Sequence, residues 1–269
     1  MTLLELYEVF LFDLDGVLYR GDQAVPDARD GVASVREAGG RPIFATNNSS
    51  RTPEEVAGKL RGLGIEAAPS EVVTSALATA DLVLESEAKT AFVIGERGIR
   101  EALERAGITL LGGMPERTDL VIVGWDRSID YAKLKAACLL VERGARLIAT
   151  NADPSYPAPD GNWPGAGALL AAVTTATGAT AEVIGKPHAP LFRAALARAG
   201  DGRALVVGDR LDTDVAGAEA LGLDSLLVLT GISTRRDLER SPVQPTFLAA
   251  DLSALSEPGL RPLGTTPGG

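Results

Sequence analysis

Val9-Phe10-Leu11-Phe12-Asp13-Leu14-Asp15-Gly16 is an apolar run that stops on two aspartates one residue apart. A short apolar run of this kind, closed by glycine, reads as a buried strand. In extended backbone, residues two apart point to the same side, so the carboxylates of Asp13 and Asp15 can face one small volume at the strand's end. Two anions about 4 Å apart repel by roughly 4 kcal/mol at an effective dielectric of about 20. A cation, or a proton on one of them, has to offset that repulsion. Gly16 lets the chain turn sharply there and lets a ligand come close to the main chain.

Similar short runs recur at Ile43-Thr46, Ala91-Ile94, Leu120-Val123, Leu147-Thr150, Ala204-Val207 and Ser225-Leu229, separated by helical patterns. Strands alternating with helices predict an α/β protein with a doubly wound parallel sheet. Thr52-Pro53-Glu54-Glu55 is a capping box with proline at the first helical position, which predicts a helix from Pro53 to about Arg61. Further helices are expected over Asp27-Ala38, Asp130-Arg143, Ala166-Thr177, Pro190-Ala199 and Thr213-Leu221. The segment from Pro154 to Gly165 is rich in turn formers and reads as a surface loop. The Pro/Gly-rich tail after about Ser256 has few apolar residues and reads as mobile.

With 269 residues the chain has room for two domains. The residues with chemical potential fall before about residue 52 and after about residue 185, while the middle carries its own strands and helices. This predicts a core built from residues 1–88 and 182–269, with a smaller α/β domain inserted over 89–181. A formal charge of -10 argues against a nucleic-acid or anionic-membrane surface. Cys138 is the one cysteine, so no internal disulfide can form, and it lies in an apolar helical run that suits a small buried side chain. The first residues lack a secretory signal pattern and no run approaches the roughly 18 apolar residues of a membrane span, so a cytoplasmic protein is expected.

Three further segments follow apolar runs and complement the opening aspartates. Thr46-Asn47-Asn48 offers a hydroxyl and two amides, Gly185-Lys186-Pro187 one ammonium, and Gly208-Asp209-Arg210-Leu211-Asp212-Thr213-Asp214 three carboxylates. In an open α/β sheet ligands bind beyond the carboxyl ends of the strands, where all four segments are expected. Each segment has a bland alternative: a turn, an exposed lysine, a helix cap. Their order and placement together form the signal.

On these four motifs the chain resembles the haloacid dehalogenase superfamily of phosphatases, in its class IIA branch with a large α/β cap inserted between the second and third motifs. Thr150-Asn151-Ala152-Asp153-Pro154 and Pro164-Gly165-Ala166-Gly167 are similar to the segment that leads from cap to core, with alanine at Ala152 and Ala166 as small departures. The resemblance implies a Rossmann-like core and hydrolysis of a small phosphorylated metabolite. It implies that Asp13 attacks phosphorus to form an aspartyl phosphate, and that Asp15 protonates the leaving alcohol and then deprotonates the attacking water; carboxylates suit both tasks. Magnesium would be held by oxygens of Asp13, Asp209 and the Asp15 carbonyl, with Asp214 supporting that shell from outside and Asp212 in a less defined role. Lys186, Thr46 and Asn47 would hold the phosphoryl oxygens.

The cap would supply substrate contacts, with Asn48, Trp125, Asp153 and above all Tyr156 as candidates, and would offer a surface for homodimer formation. His188, the only histidine, reads as solvated or peripheral. Small polyol or glycolate phosphates are favoured slightly, because the cap has few aromatics to stack a base. A phosphotransferase would use the same residues, and a catalytically silent binding protein would be expected to have lost the nucleophile or the lysine. No GxxxxGK[ST] loop occurs, and Gly165-Ala166-Gly167 lacks the third glycine of a dinucleotide fingerprint.

Overall fold

The computed structural model describes residues 1–158 and 160–263. Pro159 of the expected surface loop and residues 264–269 of the expected mobile tail lie outside the described residues. The chain divides into two compact units, one of Met1–Ala45, Val56–Val72 and Ala195–Gly269, the other of Thr46–Glu55 and Val73–Ala194.

The first unit is organised by a six-stranded sheet. Its order is Phe247–Ala249, Asp224–Val228, Ala204–Gly208, Val9–Phe12, Arg41–Thr46 and Val72–Thr74. The strand Val9–Phe12 runs parallel to both neighbours, with Phe12 opposite Val207 on one side and Phe44 on the other. All four of its residues are buried, which is what an unbroken apolar run between two covered faces requires. Phe10, Phe12 and Phe44 are fully buried and succeed one another at 6.3 Å between ring centroids. The helix Ala28–Glu37 adds Ala28, Gly31, Val32 and Val35 as its buried face, at the three- and four-residue spacing of an amphipathic helix. The chain first adds strands on one side of Val9–Phe12 and returns later to add strands on the other. The carboxyl end of Val9–Phe12 is therefore the topological switch point of the sheet.

The second unit carries a five-stranded sheet in the order Glu182–Val183, Arg146–Ala149, Leu120–Val123, Thr90–Ile94 and Thr109–Leu111. Its paired strands are all parallel. The last of them in sequence, Glu182–Val183, lies just past residue 181. The core of this unit includes Phe92, Ile94, Val121, Val123, Leu147 and Val173. Cys138 is half-buried against it, and burial pushes its thiol pKa up, away from reactivity. The architecture is thus a doubly wound parallel α/β sheet with a second, smaller α/β sheet whose strands come between Val72–Thr74 and Ala204–Gly208 in sequence.

The capping box forms as expected. The Thr52 N–H donates to Glu55 Oε2 at 2.9 Å, and the Glu55 N–H donates to Thr52 Oγ1 at 3.3 Å, starting the helix Pro53–Gly62. The expected surface loop differs: Ser155–Ala158 and Gly161–Pro164 pair as an antiparallel hairpin with Tyr156 opposite Trp163. The expected helix from Thr213 also differs, since a π-helical turn, Leu211–Val215, leads into the short helix Ala216–Ala220. Among the described residues, no helix is long and apolar enough to cross a membrane.

Candidate active site

Two neighbouring strands, Val9–Phe12 and Ala204–Gly208, each deliver an acid at their carboxyl ends. Asp13 follows Val9–Phe12 directly, and its N–H still donates to Val207 O at 2.8 Å. The chain then tightens, with the N–H groups of Val17, Leu18 and Tyr19 all donating to Leu14 O. Leu14 is fully buried while Asp13 and Asp15 are half-buried, so the alternation expected of extended backbone persists past the strand's end. Gly16 has φ +86°, a left-handed conformation that suits glycine, and its N–H closes the turn on Tyr19 O at 2.8 Å.

Asp209 follows Ala204–Gly208, and Asp214 lies one π-helical turn later. One carboxylate oxygen each from Asp13, Asp209 and Asp214 lies within 4.8 Å of the other two. Asp209 and Asp214 are each only 1% exposed. Three carboxylates this close, two of them out of water, repel by roughly 3 kcal/mol or more per pair at an effective dielectric of about 20. All-oxygen, anionic and compact, the donor set fits a hard divalent cation. Asp214, expected to support such an ion from outside, brings its carboxylate as near as the other two. Its carboxylate also accepts from the Arg210 N–H at 3.2 Å. Asp212 points away, its side chain 68% exposed and paired with Arg210 at 2.7 Å, which holds its carboxyl below the usual range.

A segment that sequence reasoning passed over frames Asp209. Ile232 N–H donates to Asp209 Oδ2 at 2.7 Å, Ser233 N–H donates to Asp209 O at 3.0 Å, and Thr230 Oγ1 donates to Gly16 O at 2.7 Å. A β-carbon on Gly16 would lie 2.5 Å from Asp209 Oδ2, and one on Gly231 would overlap the same carboxylate. The available signal was Thr230-Gly231 directly after the apolar run Ser225-Leu229.

The second unit gathers the amides and the lysine. Thr46, 4% exposed, ends its strand and accepts the Asn48 N–H on Oγ1 at 3.1 Å. The Asn48 carboxamide turns back to accept from Ser50 N–H at 2.8 Å and Ser50 Oγ at 2.7 Å. Asn47 Oδ1 accepts the Lys186 N–H at 2.7 Å, while its Nδ2 donates to Lys186 O at 3.1 Å and to Asp153 Oδ2 at 3.0 Å. Both amide hydrogens of Asn47 therefore meet acceptors within the protein. Lys186 is 5% exposed, and exposed His188 donates its N–H to Gly185 O.

Beyond Asp153 comes the hairpin. Tyr156 stacks on Trp125 at 4.3 Å between centroids, Trp163 lies 6.4 Å from Trp125, and the Arg127 guanidinium sits 5.1 Å over the Trp125 ring. Trp125 Nε1 donates to Pro164 O at 3.0 Å, tying the Trp125 turn to the hairpin. A cavity of about 460 Å³ beside it is lined by Trp125, Arg127, Ile129, Trp163, Pro164 and Leu169 among others. Three aromatics of this unit, Trp125, Tyr156 and Trp163, are thus gathered at one place. Neighbouring Asp126 is buried, and although burial pushes its carboxyl up, hydrogen bonds from Ser128 and Lys133 hold it below the usual range.

A family model described as haloacid dehalogenase-like hydrolase matches residues 10–109, and one described as HAD-hydrolase-like matches residues 183–255. The chain is 38% identical over 253 residues to the 5′-nucleotidase YutF of Bacillus subtilis, covering 93% of this chain and 98% of that protein. It is 39% identical over 250 residues to an acid sugar phosphatase of Staphylococcus aureus, covering 92% and 96%. The glycerol phosphate phosphatase of Mycobacterium tuberculosis, solved in complex with magnesium, superposes with a TM-score of 0.90 at 37% identity, over 95% of this chain and 78% of that one. This chain belongs to the haloacid dehalogenase-like hydrolases, in the class IIA branch of phosphatases.

Proposed function

We propose that this protein is a magnesium-dependent phosphatase that hydrolyses a small phosphorylated metabolite through an aspartyl phosphate on Asp13. The observation that carries the reading is the meeting of the Asp13, Asp209 and Asp214 carboxylate oxygens within 4.8 Å, beyond the strands of the switch point. Relatives named for sugar phosphates, glycerol phosphate and 5′-nucleotides support the substrate class, and the relative solved with magnesium supports the ion.

Magnesium, held by Asp13, Asp209 and Asp214 with the Asp15 carbonyl as a further oxygen donor, would supply the positive charge that lets a carboxylate approach a phosphate dianion. Asp13 Oδ then attacks phosphorus and the ester bond to the leaving oxygen breaks, that oxygen taking a proton from Asp15. In the second half, Asp15 removes a proton from water as the water oxygen attacks phosphorus, which frees Asp13 and releases inorganic phosphate. Lys186 and Thr46 hold the phosphoryl oxygens as charge develops on them. Trp125, Asp153 and Tyr156 meet the leaving group, and Asn48 shapes the loop beside Thr46. The reading includes a cytoplasmic protein that pairs through a cap formed by about residues 89–181.

The test is phosphate release across a panel of phosphorylated metabolites with and without magnesium. Asp13→Asn and Lys186→Ala should each lower turnover at least about 100-fold, the scale of one electrostatic group. Near-normal turnover in Asp13→Asn would overturn the reading. Silence in water together with transfer to an added alcohol would make the protein a phosphotransferase.

A further inference from the structure

Asn47 grips Lys186 by its main chain. Its Oδ1 takes the Lys186 N–H at 2.7 Å and its Nδ2 donates to the Lys186 carbonyl at 3.1 Å, so one carboxamide pairs both backbone groups of a single residue, as a neighbouring strand would. Asn47 is itself pinned: its carbonyl accepts from Ser75 Oγ at 2.6 Å and from Asn151 Nδ2 at 2.7 Å. Asn151 Oδ1 in turn accepts the Asp153 N–H at 3.1 Å, and Asp153 Oδ2 receives the remaining Asn47 amide hydrogen at 3.0 Å. Gly185 permits this closeness, since a β-carbon there would lie 2.6 Å from Asn47 Oδ1 and 2.8 Å from Asn151 Cβ.

A lysine ammonium sits on a flexible four-carbon stem. Fixing its backbone sets the point and direction from which that stem leaves the chain, and so bounds where the charge can reach. We infer that Asn47 is a positioning residue: it sets the main chain of Lys186 and couples it, through Asp153, to the hairpin that begins at Ser155, instead of offering its carboxamide to the substrate. The inference rests on the phosphatase reading for what Lys186 does. It goes beyond that reading by linking a leaving-group hairpin to the catalytic lysine.

A double-mutant cycle separates the two roles, because residues that act as a unit have non-additive effects. Asn47→Ala, Lys186→Ala and the pair would be assayed at saturating magnesium with 4-nitrophenyl phosphate, with folding checked by thermal melting. Asn47→Ala should lower kcat at least about tenfold while KM changes less than about threefold. In the Lys186→Ala background, removing Asn47 should cost less than about twofold more. Losses that multiply in an active enzyme would overturn the inference and leave the phosphatase reading standing.

Should Asn47→Ala fail to fold, Asn47→Asp keeps the acceptor for the Lys186 N–H but sets a carboxylate against Asp153. Adding Asp153→Asn restores a donor across that contact and should recover kcat at least about threefold over Asn47→Asp alone. Absence of recovery would overturn the link to the hairpin. A wild-type protein without magnesium-dependent release would remove the phosphatase reading and the inference together.

Discussion

The carboxylate of Asp209 and the α-carbon of Gly231 are packed so closely that no side chain fits between them. Asp209 is 1% exposed and its Oδ2 is fixed by the Ile232 N–H at 2.7 Å, so it has little freedom to move aside. A β-carbon on Gly16 would come within 2.5 Å of the same oxygen. Two glycines therefore set where this carboxylate meets Asp13 and Asp214.

Gly231→Ala should push the Asp209 carboxylate out of that cluster. Changing the groups that orient a metal ligand typically costs 10- to 100-fold in metal affinity, so the magnesium concentration for half-maximal activity should rise at least about tenfold. The check is a magnesium titration of phosphate release beside a calorimetric titration of the ion. An unchanged magnesium requirement in a folded variant would mean that Asp209 does not need this support.

Asp126 gives a prediction about pH. Its carboxylate is buried and accepts from Lys133 Nζ at 2.9 Å, from Ser128 N–H at 2.8 Å and from Ser128 Oγ at 2.6 Å. Burial raises its pKa, the hydrogen bonds and the Lys133 charge lower it, and the balance is a depressed value. A depressed folded pKa contributes stability that is fully present above the unfolded value, near 3.9, and is lost as pH falls through the folded value. Melting temperatures of the wild type and Asp126→Asn should therefore differ at neutral pH and converge on acidification below about pH 4. A gap that stays constant down to the acid limit of folding would refute the assignment.

The interior strands were legible because burial on both faces demands unbroken apolar runs, as in Val9–Phe12, Leu120–Val123 and Ala204–Gly208. The strands at the sheet edges were not. Val72–Thr74, Phe247–Ala249, Thr109–Leu111 and Glu182–Val183 have two or three residues each, too few to show a period. The hairpin was hidden by Pro157, which argues against a strand in sequence but is tolerated in a two-stranded ribbon with a free edge.

At the site, charged side chains after apolar runs pointed to Asp13, Asp209, Asp214 and Lys186. The frame around Asp209 was invisible because it works through the Ile232 N–H and through the side chain that Gly231 lacks. A carboxamide such as that of Asn47 can donate to phosphate or to the protein itself. Only the fold decides which acceptor its two hydrogens meet, and here they meet Asp153 and the Lys186 carbonyl.

The aromatic cluster supplies its own reporter. The chain has two tryptophans, and both belong to this cluster, 6.4 Å apart. Tyr156 stacks on Trp125 at 4.3 Å and stands opposite Trp163 in the hairpin, so intrinsic tryptophan fluorescence reads the surroundings of Tyr156. Tyr156→Ala removes a stacking contact worth about 0.5–1.5 kcal/mol beyond its buried area, and should change the emission while leaving the melting temperature within several degrees. If Tyr156 meets the leaving group, its loss acts on substrate discrimination more than on chemistry. The ratio of kcat/KM between a bulky and a minimal phosphomonoester should shift at least about tenfold, whereas kcat on the minimal substrate should stay within about threefold. Equal losses on every substrate, with altered emission, would show that Tyr156 packs the hairpin and does not read the leaving group.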